Sequence, residues 1–223
     1  MNGVYRLNPH RKKSFLKNLS VNTWIILINV ILFFVFLFLI NLKVLTLNDV
    51  AIKPSNILQG KYLWTFLTSM FMHGNFFHLL VNMLSLFFVG TFIQRILGSK
   101  RYLGFYLISG IFAGLFFVLF SLIFPADFNA YAVGASGALF GLIGLLMLLT
   151  PNLPVYIMFI PIPIKIKYAA PGILILLWII SITANVGIGN TAHLGGLICG
   201  LVYGIYLRKK YKNKIKMISR QFS

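Results

Sequence analysis

Inside otherwise apolar stretches the sequence carries a few side chains with reactive or strongly polar chemistry: His78, Asn82, Ser136 and His193. His78 and Asn82 stand at i and i+4, one turn apart on a single helix face. Ser136 lies in Gly134-Ala135-Ser136-Gly137, and His193 in Ala192-His193-Leu194-Gly195-Gly196. A serine hydroxyl becomes a nucleophile when a base takes its proton, and a histidine within hydrogen-bond reach is the commonest base. Gly134 and Gly137 leave the Ser136 hydroxyl unobstructed and let backbone N–H groups face a reacting carbonyl. Asn82 and His78 would then donate to the oxyanion that forms on attack. Taken singly, each residue has a blander role. Ser136 can bond its own helix carbonyl, either histidine can be a satisfied core residue, and Asn82 can bridge two helices.

The residues that are missing narrow the chemistry. The chain has no Glu, two acids (Asp49 and Asp127) and one cysteine, Cys199. A zinc protease signature of the H-E-x-x-H type and paired-Glu acid/base chemistry both need Glu. An aspartyl site needs two embedded Asp, and Asp49 and Asp127 fall between the apolar runs. A Ser–Lys dyad needs a lysine near Ser136, where there is none. Cys199 reads as a small packing residue. His73 and His78 are five apart, which is not the helical spacing of a zinc pair, and no acidic or Cys ligand accompanies them; they read as a loop-to-helix bonding pair. No metal or organic cofactor is implied.

The elements that must position these groups are membrane spans. Of 223 residues 59% are hydrophobic, mean hydropathy is +0.91, and only 22 residues are charged. Uncharged runs near the roughly 20 residues that cross a bilayer are Val21 to Leu42, Phe76 to Phe92, Tyr102 to Phe124, Val133 to Thr150, Tyr168 to Ala184 and Thr191 to Leu207. The net charge of +18 suggests nucleic acid on a soluble fold, but here the basic clusters are separated by these runs, so no nucleic-acid partner is expected. Alternation of sides gathers 17 of the 20 basic residues on one side and leaves Lys43, Lys53, Lys61 and both acids on the other. The positive-inside rule then puts both termini in the cytoplasm. The expected organisation is a basic tail over residues 1–20, a six-helix membrane domain over 21–207, and a basic tail over 208–223, with tails able to touch anionic headgroups.

In that topology the second, fourth and sixth spans all run from outside to inside, so His78, Asn82, Ser136 and His193 share one depth in the outer leaflet. The first span is too long, and too poor in small residues at its end, for a cleaved signal peptide. Tyr62 to Met72 is too short to cross and suits the outer interface; Val155 to Ile164, broken by Pro161 and Pro163, suits a loop at the membrane surface. Three glycine rows, Gly110/Gly114, Gly137/Gly141 and Gly196/Gly200/Gly204, predict close helix contacts.

With these residues in place, the sequence resembles the rhomboid intramembrane serine proteases. The resemblance rests on His73-Gly-Asn-Phe-Phe-His78-x-x-x-Asn82, Gly134-Ala135-Ser136-Gly137 and Ala192-His193-x-x-Gly196, and covers about Trp24 to Leu207. It implies an all-α, six-helix rhomboid-like bundle with Ser136 as nucleophile, His193 as general base, His78 and Asn82 as the oxyanion pair, and His73 as a structural histidine. Phe140 falls where some members carry a Tyr beside the catalytic histidine, and stacking survives either choice. In two places the chain departs from the pattern. Thr65 follows Trp64 where many relatives have Arg, and Gln94 stands where many have Glu, which puts a structural link in doubt but not the dyad.

The expected function is therefore a serine endopeptidase cutting transmembrane segments of single-pass membrane proteins near the outer face of the bilayer. The resemblance further implies that the substrate helix approaches laterally, beside the fifth helix and under the first outer loop. The rival readings are a catalytically inactive rhomboid-like binder of membrane proteins and a small transporter, though the spans lack the acids or internal repeat usual in transporters. A plasma membrane is the expected location, with an organellar inner membrane as the alternative.

Overall fold

A computed structural model of the chain describes residues 19–157, 162–184 and 186–222. Arg6, Arg11, Lys12, Lys13 and Lys17 of the N-terminal tail, and Pro161, lie outside them.

The described residues are mostly helical. The main elements are α1 (Val21–Asn41), α2 (Phe76–Leu97), α3 (Ser99–Phe120), α4 (Ser136–Leu149), α5 (Ile166–Thr183), α6 (Asn190–Lys210) and α7 (Lys212–Arg220). By length and composition α1, α2, α3 and α5 can cross a membrane. The helix α6 has comparable length, with a polar first turn, several glycines and Arg208, Lys209 and Lys210 in its last turn, where cations complement the helix dipole. At 14 residues α4 is the shortest of α1 to α6, and its rise of about 21 Å falls short of a hydrocarbon core of about 30 Å.

The shortness of α4 departs from the run read in the sequence, which starts at Val133. Gly134 adopts φ +115°, and its N–H donates to the Ser69 carbonyl at 2.8 Å, so residues 133–135 belong to the loop and the helix starts at Ser136. Nine of the α4 residues are buried, which makes it the central helix. Conversely, α2 runs on past Phe92 to Leu97, taking in Gln94 and Arg95, and α3 starts at Ser99 and includes Lys100 and Arg101.

The glycine rows divide into two kinds. Gly196 lies against the Gly137 carbonyl and Gly200 against the Gly141 carbonyl, and Gly144 meets the Leu197 carbonyl, so α4 and α6 touch backbone to backbone. Gly110 and Gly114 of α3 do not meet a helix. They receive Met70, and Ile52 with Phe66, from the loop between α1 and α2. That loop holds no helix long enough to cross a membrane. Thr65–Thr68 and Ser69–Phe71 form two short helical turns, with Met70 buried and Leu63 and Trp64 exposed. The segment read as a surface loop begins and ends in a two-residue antiparallel pair, Pro154–Val155 with Ile164–Lys165.

A polar knot ties α1 to α2 and α3. The Asn22 backbone N–H donates to Gln94 Oε1 at 2.8 Å, Asn22 Nδ2 donates to the Leu86 carbonyl and to Thr91 Oγ1, and the Tyr102 hydroxyl donates to Asn22 Oδ1. Residues Leu86–Gly90 form a π turn, a widened turn that frees a carbonyl, and Asn22 satisfies that of Leu86. Gln94 Nε2 also donates to Ser99 Oγ at 3.1 Å. Gln94 therefore holds the link that its departure from Glu put in doubt.

Candidate active site

Ser136 is the first residue of α4, and His193 lies in the first turn of α6. The backbone contacts of Gly137 with Gly196 and of Gly141 with Gly200 bring these two helix starts together. The result is a distance of 2.8 Å between His193 Nε2 and Ser136 Oγ. Phe140, one turn along α4 from Ser136, stacks on the His193 ring with centroids 4.6 Å apart and planes at 20°. For Nε2 to accept the serine proton, the imidazole must carry its hydrogen on Nδ1. Nδ1 is buried and has no hydrogen-bond partner among the described residues, so the pair stands without an orienting carboxylate.

Asn75 starts α2 by accepting the His78 N–H at 2.8 Å, as an N-cap asparagine does. His78 then sits in the first turn, with Nδ1 accepting from the Gly74 N–H at 3.4 Å. Its other ring edge lies against Gly134: a Cβ built there would be 2.8 Å from His78 Nε2 and 3.6 Å from Ser136 Oγ. Gly134 is thus required twice, by its positive φ and by the ring it faces. Asn82 is buried and donates one amide hydrogen to the His78 carbonyl at 2.8 Å, which leaves its second amide hydrogen to bond elsewhere. His73 is fully buried, its Nε2 meets the Ala135 N–H at a long 3.5 Å, and its ring stands edge-on to His78 at 5.2 Å. Burial first, and the neighbouring His78 second, push His73 down to about 3, so it stays neutral in this setting. Gly137 packs on Ala113 of α3.

All eight residues singled out in the sequence thus gather around the start of α4. Three others that hold the site were not singled out. Ser69 fixes the Gly134 N–H, and Asn75 caps α2; its signal was an N-cap residue three positions before His78. Asp127 accepts from the Thr191 hydroxyl at 3.0 Å, two residues before His193. Burial pushes the Asp127 carboxyl up, and the Thr191 bond pulls it back.

The family model described as the Rhomboid domain matches residues 60–210, which contain every one of these groups. The chain belongs to the rhomboid family. Among similar proteins, this rhomboid is 36% identical to RHOMBOID-like protein 1 of Arabidopsis thaliana over 159 residues, 69% of this chain and 37% of that protein. It is 31% identical to Rhomboid-like protease 1 of Toxoplasma gondii over 214 residues, 93% of this chain and 69% of the relative. Against Rhomboid protein 1, mitochondrial, of Saccharomyces cerevisiae the identity is 30% over 63% of this chain and 41% of the yeast protein. The chain thus spans well under half the length of the plant and yeast relatives. With its apolar helices, this rhomboid is an integral membrane protein.

Proposed function

We propose that this rhomboid is a serine endopeptidase that cuts the transmembrane segments of single-pass membrane proteins. The observation that carries the reading is the 2.8 Å separation of His193 Nε2 and Ser136 Oγ. Ser136 Oγ attacks the scissile carbonyl while His193 Nε2 takes its proton, and the same nitrogen returns the proton to the leaving amine. The second half-reaction reverses the roles, with water activated by His193 releasing the acyl group from Ser136.

The charge on the carbonyl oxygen develops at the start of α4. The first N–H groups of a helix have no partner within it, and the helix dipole favours an anion there. Asn82, through its second amide hydrogen, and His78, through the ring edge beside Gly134, complete the oxyanion site. Phe140 restrains the imidazole by stacking, and His73 braces Ala135 and His78.

Six spans with both termini cytoplasmic, an arrangement that the distribution of basic residues supports, would put this site in the outer leaflet, and a plasma membrane is the location we assign. The substrate helix reaches it beside α5. In that helix the buried residues Ile166, Ala169, Ala170 and Leu174 all lie in the first half, while Ile175, Leu176, Ile179 and Ile180 of the second half are exposed.

Cleavage of a single-pass test substrate in proteoliposomes, paired with fluorophosphonate labelling, tests the reading. Ser136→Ala and His193→Ala are expected to lose both, and unchanged cleavage by Ser136→Ala would overturn it. Substrate capture without cleavage by the wild type would identify a binder instead.

A further inference from the structure

At the end of α6 remote from Ser136 the chain turns at Tyr211, and α7 packs back against the end of α4. Lys212, Ile215, Lys216, Ser219 and Arg220 recur at i, i+3, i+4, i+7 and i+8, so they share one face of α7. Ile215 is buried and holds that face against the bundle. The face bounds a cavity of about 420 Å³, which has Leu149 and Pro151 on its α4 side and Arg208 entering from α6. A second cavity of about 410 Å³ shares Arg208 and Lys212 with the first and continues along Ile205, which is 49% exposed on the outside of α6.

The charge here is unbalanced from within. The chain has two acidic side chains, Asp49 and Asp127, and Asp127 is bonded to Thr191 in the first turn of α6. That is about 30 Å from Lys212 by the rise of the helix. Asp49 belongs to the same end, in the loop capped by Trp64. No side-chain carboxylate of the chain is near the exposed heads of Arg208, Lys212 and Lys216, which leaves them able to receive an anion from outside the protein. Tyr203, Tyr206 and Tyr211 surround this end, and tyrosines of this kind mark the level of the headgroups.

We propose that this end of the molecule binds an anionic phospholipid, with the headgroup phosphate between Arg208, Lys212 and Lys216 and an acyl chain lying along Ile205. Charge-assisted bonds to the phosphate oxygens suit both arginine and lysine donors, and the exposed Ile205 side chain in the second cavity offers an acyl chain an apolar surface that a free anion would not use. The site requires nothing of the reaction at Ser136.

Native mass spectrometry of the full chain in detergent, with dioleoyl phosphatidylglycerol or dioleoyl phosphatidylcholine added, tests the proposal. The wild type is expected to retain the first over the second by about tenfold or more, since each basic group near a headgroup favours an anionic lipid by about fivefold. R208Q/K212Q should lose most of that preference. R208K/K212R, which keeps both charges, should retain it, as should K43Q/K53Q, which removes the same charge at the other end. Equal retention of both lipids by the wild type, or undiminished preference in R208Q/K212Q, overturns the site. The wild-type comparison stands even if R208Q/K212Q does not fold. A rise in Tm with inorganic phosphate equal to that with phosphatidylglycerol overturns the lipid assignment in favour of a free-anion site.

Discussion

The seam between α4 and α6 and the second half of α5 are held in opposite ways. Along the seam, Gly196 and Gly200 lie on the carbonyls of Gly137 and Gly141, so at these two crossings backbone meets backbone and the helices cannot come closer. The second half of α5 presents Ile175, Leu176, Ile179 and Ile180 outward and contributes no buried residue. A nucleophile and its base need fixed geometry to a fraction of an ångström. A substrate helix needs a neighbour that yields. The tightest packing serves the first need, and on the proposed substrate route the sparsely buried second half of α5 serves the second.

The largest effect should come from breaking the seam. In Gly200→Val the new Cβ would meet the Gly141 carbonyl and the Leu145 N–H, and neither backbone group can step aside. The expected cost is about 3 kcal/mol, a fall in Tm of roughly 10 °C for a chain of this size. Fluorophosphonate labelling should drop about a hundredfold as Ser136 and His193 part. Gly110→Ala provides the contrast, because its Cβ would meet only the flexible tip of Met70, and a loss of about 1 kcal/mol is expected there. Equal losses in the two variants would mean that the seam is not special.

That contrast also marks what the sequence could and could not say. The row Gly110/Gly114 reads the same as Gly196/Gly200, since a small residue every fourth position announces a close approach without naming what approaches. One row meets a helix backbone, the other the side chains of a loop. Ser136, His193, His78 and Asn82 were legible because a polar group in an apolar run is costly and needs a reason. By the same logic Asn22 and Asn29, seven apart in the first run, carried a readable signal. For Asn22 the side-chain partners Gln94 and Tyr102 lie more than 70 residues away, beyond any local pattern. The start of α4 was misplaced because hydropathy continues smoothly from Val133, whereas the φ of Gly134 and the bond to Ser69 are tertiary facts.

The polar knot at the other end of α2 should rank next. Gln94→Ala leaves the Asn22 N–H without its acceptor and Ser99 without its donor, for an expected loss of about 2 kcal/mol, or about 6 °C in Tm. Gln94→Glu restores the acceptor and should recover most of it. Labelling at Ser136 should stay near normal in both variants, since this knot fastens α1 rather than the seam.

Within the site, Phe140→Leu keeps an apolar group of similar size but removes the ring stacked on His193. Aromatic stacking is worth about 1 kcal/mol, so kcat should fall about fivefold, with Phe140→Tyr close to the wild type. A loss confined to KM would place Phe140 against the substrate rather than the base.

The smallest effect in stability should come from α5, where it separates the two regions best. Leu176→Ala and Ile179→Ala truncate exposed side chains and should change stability by about 0.5 kcal/mol or less. A small fluorophosphonate reaches Ser136 without moving a helix, so labelling should be unchanged. On the proposed route a transmembrane substrate passes α5, and thinner side chains should raise its cleavage about twofold. If both reactions rise together, α5 acts on the dyad itself. If neither changes, the substrate approaches by another face.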